Sequence, residues 1–394
     1  MMNIACYFLS FNGIGNSRGM YGDLVCELAN RGHNVYVIAP SKNNQKGMEY
    51  NGNIKICWVD SIKLLNVGFL TKILANLILP LLFLKASKKF LPQKVDVVIS
   101  PTPPITLTNV IRRVKQQHNS FFYLILRDIF PQNAVDLGIM ANGGIVHKYF
   151  RRVEKKLYKL ADRIGCMSQG NIDYLLSHNP ELDSSKTVIL PNWVDADKTY
   201  DYETSKFITK HNLENRYIAL FGGNLGIAQN PLNIVDLAEL HKDKEDLVFL
   251  IIGKGIYKKK LEESIKQRGL NNIIMADHLP RDEYEALASK CNVGLVSLNG
   301  NFTIPNIPSR TLGYWQAKLP VFAIVDKCTD LGPNVIEKCN GGFWCVEGNK
   351  EQYINLFNIL YSDKQLSRQM GLNGYKTLQE ENSVKNATDI ILNF

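Results

Sequence analysis

Twice in this chain an apolar run of β-forming residues ends in a glycine-rich turn that leads straight into an amphipathic helix. The first instance is the strand at 3–11 (NIACYFLSF), the turn NGIGNSRG with Gly13, Gly15 and Gly19, and the helix MYGDLVCELANRG. The second is YIALF at 217–221, the turn GGNLGIAQNP and the helix NIVDLAELHK. Strand, tight turn, helix and next strand make a βαβ unit, and glycine at the crossover lets the backbone pass close to a phosphate. Two such starts in 394 residues, enough for two domains of ordinary size, predict an α/β chain of two doubly wound domains facing each other across a cleft.

Residues 195–214 are polar and lack an apolar period, which places the boundary there. The expected division is 1–195, a linker at 196–215, and 216–394, with the last helix available to pack back on the N-terminal domain. A dinucleotide reader wants an acidic residue at the end of its second strand, where this chain has Ala39-Pro40, so a nicotinamide cofactor is not expected. The eight cysteines are scattered, without CxxC or ligand-like spacing to the seven histidines, so neither a structural metal nor a disulfide framework is expected. The opening strand carries no basic n-region and no cleavage site, which argues against a signal peptide and for a cytoplasmic protein.

Net charge is +9, and its distribution is uneven. The first 200 residues hold 24 Lys+Arg against 14 Asp+Glu, while the remainder holds 22 against 23. All the surplus lies in the N-terminal half, which points to an anionic partner of that half. Nucleic acid is not expected, because no helix-turn-helix, zinc-finger or RNP-type signature accompanies the charge. Residues 61–90 are densely apolar but interrupted by Lys72, Asn76 and Pro80, so the stretch does not span a bilayer. It reads equally as a buried core helix and as an interfacial segment, with Lys63, Lys72, Lys85, Lys88 and Lys89 on it. Residues 147–163 form a second, basic amphipathic helix.

Three places concentrate chemistry. Between the strands LVSL and VFAI, the stretch Asn301–Pro320 (NFTIPNIPSRTLGYWQAKLP) reads as a loop closed by Pro308, Ser309 as a helix N-cap, and a short helix ending near Lys318. A helix start at the carboxyl end of a parallel sheet attracts phosphate, and Arg310 adds a fixed charge there; the plainer reading is an ordinary crossover helix. After LVFLII, Gly253 and Gly255 precede Lys258 and Lys259 on a helix. The strand FFYLIL ends in Arg127-Asp128, where open α/β sheets place their chemistry; a salt-bridged structural Asp128 is the alternative. Asp195 and Asp197 look like a metal pair, but no further oxygens converge on them, and no metal site is expected.

Seven segments in order are similar to the retaining family 4 glycosyltransferases of the two-Rossmann glycosyltransferase-B fold. They are the first glycine turn with NRGHNVYVIAP, ADRIGCMS, VILPNWVD, ALFGGNLGIAQN, LIIGKGIYKKKLEE, IPSRTLGYWQAKLPVFA, and CNGGFWCVEGN with MGLNGYK. RDIFPQNAVDLGI and IPSR resemble the branch that adds aminosugars such as N-acetylfucosamine in bacterial O-antigen or capsule assembly. The resemblance implies that Gly15 approaches the sugar-nucleotide diphosphate and that Lys258, Ser309 and Arg310 hold it. It puts Asn224 where relatives carry an arginine, and Arg127 or Asp128 at the position of a polar, base-like residue. The family's two glutamates fall on Pro305 and Gly313, so the usual holder of the nucleotide ribose is missing.

The expected activity is therefore a retaining, metal-independent, hexosyltransferase-type transfer that uses no cofactor. The donor is a nucleotide sugar, read as UDP-linked, and the acceptor a polyprenyl-diphosphate-linked saccharide at an anionic membrane surface. The protein is expected on the inner face of the cell membrane, held peripherally. A sugar-nucleotide epimerase of similar fold, and a non-catalytic binding or scaffold member lacking the glutamates, are the alternatives.

Overall fold

A computed structural model describes residues 1–15, 18–41, 47–60, 69–198, 202 and 204–394, with the side chains of 69–77 set aside. The chain forms two compact units. Unit 1 comprises Met1–Asp195 and Val384–Phe394, and unit 2 comprises Ala196–Ser383.

Unit 1 is built on eight strands: β1 (Asn3–Tyr7), β2 (Asn34–Pro40), β3 (Gly47–Asn51), β4 (Ile54–Val59), β5 (Val97–Pro101), β6 (Phe121–Leu126), β7 (Arg163–Cys166) and β8 (Thr187–Ile189). Their order is β3-β4-β2-β1-β5-β6-β7-β8, parallel except for the β3/β4 hairpin. The strand order reverses at β1, which lies between β2 and β5. That is the switch point where open sheets bind ligands. Strands β5 and β6 are apolar along nearly their whole length because helices cover both faces, and the alternation along β1 shows how. Ile4, Cys6 and Phe8 pack with Leu24, Val25 and Leu28 of the helix Met20–Asn30. Tyr7 turns the other way, its ring 6.3 Å from Phe83 and its hydroxyl 2.7 Å from Ser87.

Phe83 and Ser87 belong to the helix Phe69–Phe90, which settles part of the choice left open for 61–90. From Leu79 onward this is a core helix, with Leu79, Phe83 and Phe90 buried and Lys85, Lys88 and Lys89 exposed. Lys63 lies outside the described residues, as does the side chain of Lys72. Among the described residues no helix is long and apolar enough to cross a membrane. The C-terminal helix Val384–Leu392 packs on Met20–Asn30, tied by Arg31 to Asp389 and to the Lys385 carbonyl at 2.9 Å.

Unit 2 has six parallel strands: β9 (Tyr217–Gly222), β10 (Leu247–Ile252), β11 (Ile273–Ala276), β12 (Val293–Ser297), β13 (Val321–Val325) and β14 (Gly342–Val346), in the order β11-β10-β9-β12-β13-β14. Here the reversal falls at β9, between β10 and β12. Phe249, Phe322 and Phe357 form the aromatic centre of its core, with ring centroids 5.4–5.6 Å apart. The tail from Lys350 to Leu392 is a run of three helices.

The stretch expected as one long strand at 3–11 ends at Tyr7. The hairpin β3/β4 had no counterpart in the sequence reading, although Asn51-Gly52 sits at its turn with Gly52 at φ +55°.

Candidate active site

In unit 2 the two glycine turns interlock. Gly223 N–H donates to the Ile252 carbonyl and Leu225 N–H to the Lys254 carbonyl, both at 2.9 Å. Gly253, at φ +159°, comes so close that a Cβ on it would lie 1.8 Å from the Gly223 carbonyl oxygen. A Cβ on Gly255 would lie 2.3 Å from the Leu225 carbonyl oxygen. Only glycine lets these backbones meet. The turns therefore form one rigid rim at the carboxyl ends of β9 and β10.

Arg310 lies against this rim. Its guanidinium sits 4.5 Å from the centroid of the Phe221 ring, and its Nη2 would be 3.1 Å from a Cβ on Gly223. Behind it, the Tyr314 hydroxyl accepts from Gly222 N–H at 3.0 Å and meets the hydroxyl of Tyr284. Burial lowers the Arg310 pKa, against the pull of Tyr314 and Tyr284. Its Nη1 is enclosed and has no hydrogen-bond partner among the described residues. A buried, unsatisfied charged donor costs about 1–3 kcal/mol or more, and such groups mark places where a ligand supplies the missing acceptor.

The other expected residues of unit 2 stand around this point. Lys258 opens the helix Lys258–Arg268 just after Gly255, with its Nζ 2.7 Å from Asp277, which raises its pKa. Asn224 is exposed in the turn and donates to Gln229 at 3.2 Å. Ser309 precedes the helix Arg310–Gln316, but its hydroxyl makes no capping bond, and its own φ and ψ of −63° and −16° are already helical. A capping side chain needs extended backbone at that position, so the expected N-cap is corrected. Pro305 is buried, and Gly313 faces open space where a Cβ would stand.

In unit 1 the glycine turn, the start of the helix Met20–Asn30 and the end of β6 come together. Gly13, at φ +82°, brings its carbonyl within 2.7 Å of where a Cβ on Gly22 would be. Gly15 is exposed with open space around it, so no protein neighbour requires glycine there. Trp193 donates its indole N–H to the Met20 carbonyl at 2.8 Å, and Arg127 stacks 4.6 Å from its ring. Arg127 is buried and spends its guanidinium on the carbonyls of Leu190 (3.0 Å) and Pro191 (3.4 Å), and its pKa falls to about 10 through burial. Its two terminal nitrogens thus brace the 190–193 segment, while its Nε is enclosed and has no hydrogen-bond partner among the described residues.

Asp128 is different. It makes no hydrogen bond to any described residue, and burial pushes its pKa up to about 6 against the pull of Arg127. Asp195 is held by Arg18 at 2.8 Å, which in turn binds Asp23, so this member of the acidic pair seen in the sequence belongs to an ion-pair network. Among the described residues no His, Cys, Asp and Glu group has the arrangement of a metal site.

Compared with known families, residues 21–198 match the model Glycosyltransferase Family 4, and residues 203–377 match Glycosyl transferases group 1. The chain belongs to the family 4 glycosyltransferases. Both units of this glycosyltransferase are Rossmann-like, and together they have the glycosyltransferase-B fold. It is 25% identical over 256 residues to a Pseudomonas aeruginosa protein described as the probable glycosyltransferase WbjE, covering 64% of this chain and 62% of the relative's length. Its fold is similar to Anabaena HepE in complex with UDP and glucose, at a TM-score of 0.71 and 14% identity over 99% of this chain and 98% of that one. It is likewise similar to WaaG, a glycosyltransferase involved in lipopolysaccharide biosynthesis, at a TM-score of 0.72 and 15% identity over 99% and 100%. At these identities the likeness to the solved structures is one of fold.

Several side chains that surround Arg310 and Arg127 carried no sequence signal. These are Phe221, Tyr284 and Tyr314 around Arg310, and Tyr21 and Trp193 around Arg127. Only their packing distinguishes them.

Proposed function

We propose that this glycosyltransferase moves a sugar from a UDP-linked nucleotide donor held by unit 2 to a lipid-linked saccharide acceptor held by unit 1. The observation that carries the donor half is the enclosed, unpartnered Nη1 of Arg310 beside the interlocked glycine rim. A diphosphate supplies the missing acceptor, and the fixed guanidinium neutralises the charge that develops as the bond from the anomeric carbon to the phosphate oxygen breaks. Lys258, leaving Asp277, adds a second positive charge, so the leaving group needs no metal. Asp128, with a pKa of about 6, takes the proton of the acceptor hydroxyl as that oxygen forms the new bond to the anomeric carbon and the diphosphate leaves.

The bound UDP of HepE and the lipopolysaccharide role of WaaG support a UDP donor and a bacterial surface polysaccharide, O-antigen or capsule, as product. The segments RDIFPQNAVDLGI and IPSR support an N-acetylated aminosugar such as N-acetylfucosamine, and the resemblance to the retaining family supports transfer with retention. The acceptor is then a polyprenyl-diphosphate saccharide, and the enzyme works peripherally on the inner face of the cell membrane.

The test is a panel of nucleotide sugars assayed by thermal stabilisation, followed by turnover with and without a polyprenyl-linked acceptor. Stabilisation by one UDP-sugar and turnover only with the lipid-linked acceptor is the expected result. Stabilisation without turnover would favour a binding role, and turnover without acceptor would favour an epimerase.

A further inference from the structure

The helices Phe69–Phe90, Thr108–His118 and Ile145–Leu160 pack side by side over one face of the unit 1 sheet. Their sequences contain a single acidic residue, Glu154. It is buried, accepts from the Tyr158 hydroxyl at 2.6 Å and is ion-paired to Arg151. The exposed charge of the described layer is therefore all positive: Lys85, Lys88 and Lys89 on the first helix, and Arg112 and Arg113 on the second.

The third helix adds a feature that charge alone does not explain. Its outward stripe begins apolar, with Ile145, Val146 and Tyr149 exposed by 88%, 58% and 55%, and becomes basic toward Arg152, Lys156 and Lys159. These positions recur at helical spacing, so they form one continuous face. Ile139, in the loop before the helix, is also exposed. At the basic end the helix borders a surface groove of about 520 Å³ lined by Lys155, Lys156, Lys159 and Lys186 together with Glu181 and Asp183. Lys155 is paired with Glu181 at 2.9 Å, and Lys186 donates to the Ala161 carbonyl at 2.8 Å. Lys156 and Lys159 make no ion pair with any described residue.

We infer that this three-helix face docks on an anionic phospholipid bilayer, with Ile145, Val146 and Tyr149 entering the acyl boundary and Lys156 and Lys159 binding lipid phosphates. A purely basic face would serve any polyanion. The apolar start of the stripe gains only where it leaves water, which a bilayer provides and a nucleic-acid backbone does not. The inference rests on the peripheral membrane placement proposed above and names the face that makes the contact; it holds whatever the donor is.

The test uses the full-length protein with phosphatidylcholine vesicles, with and without phosphatidylglycerol. Binding should require phosphatidylglycerol and weaken as salt rises. The double variant Lys156→Glu/Lys159→Glu should lose affinity by about tenfold or more. Val146→Asp/Tyr149→Asp should remove the binding that survives at high salt. All these side chains are exposed, so thermal unfolding should be unchanged, and nucleotide-sugar binding, measured separately, should match wild type in every variant. Equal binding to both vesicle types, wild-type binding by the lysine variant, or vesicle indifference combined with lysine-dependent binding to duplex DNA would each overturn the inference.

Discussion

Gly253 and Gly223 occupy space that a single methyl group would close, since a Cβ on Gly253 would stand 1.8 Å from the Gly223 carbonyl oxygen. The first consequence concerns the rim they form. Gly253→Ala combines a φ of +159° with a backbone clash that no rotamer relieves, and should cost at least about 3 kcal/mol of unit 2 stability. Nucleotide-sugar binding should be lost even where the variant stays folded. Calorimetry and ligand titration of the same preparation check both, and a variant with wild-type affinity would show that the rim has no part in the site.

Arg310 and Lys258 should not behave alike. Arg310→Ala removes an enclosed donor and should weaken donor binding by roughly 1.5–3 kcal/mol, because its partner phosphate would be left without a charged hydrogen bond. Arg310→Lys should recover little, since a point charge does not reproduce the planar fork over Phe221. Lys258 is already engaged with Asp277 on the surface, so Lys258→Ala should have the smaller effect on affinity. Isothermal titration of the three variants ranks them, and an order with Lys258 first would reverse the assignment.

Asp128 predicts a pH dependence with a definite sign. Its folded pKa of about 6 lies above the ordinary carboxylate value because burial disfavours the charge. Between those two values the folded state binds more protons than the unfolded state, so its contribution to stability falls as pH rises through that window. Asp128→Asn should abolish that slope. If the ionised carboxylate serves the transfer, wild-type turnover should also rise with an inflection near pH 6 that the variant lacks, while donor binding stays intact. A stability profile identical in both proteins counts against the shift itself.

Gly313 lies inside the helix Arg310–Gln316 with open space where its Cβ would be. Gly313→Ala should therefore stabilise the fold by about 0.5–1 kcal/mol through lower unfolded-state entropy. Gly313→Glu would reintroduce the carboxylate that the family resemblance leads one to expect there, and should tighten nucleotide binding if the ribose lies within reach. Denaturant titration reads the first effect and ligand titration the second.

Much of the architecture was legible because it is written locally. YIALF followed by GGNLG, or LVFLII followed by GKG, can bury a strand on both faces and turn without steric cost only in a doubly wound sheet. The three-helix tail shows its apolar period in Tyr353, Leu356, Leu360 and Met370. The β3/β4 hairpin escaped because β3 is fully exposed and carries no apolar alternation, leaving Asn51-Gly52 as its one signal.

The sequence by itself determined which residues could carry charge to the strand ends, namely Arg127, Asp128, Lys258 and Arg310. Which of them are free to use it was decided by the tertiary structure. Arg127, just past the end of β6, and Arg310, at the start of its helix, both stack on an aromatic ring. Yet the carbonyls of Leu190 and Pro191 take both terminal nitrogens of the first and leave only its Nε unmatched, while on the second it is a terminal nitrogen, the enclosed Nη1, that has no partner among the described residues. The partners that make this difference are far away along the chain, and hydrogen bonding depends on distance and angle in space. No local pattern of residues encodes either quantity.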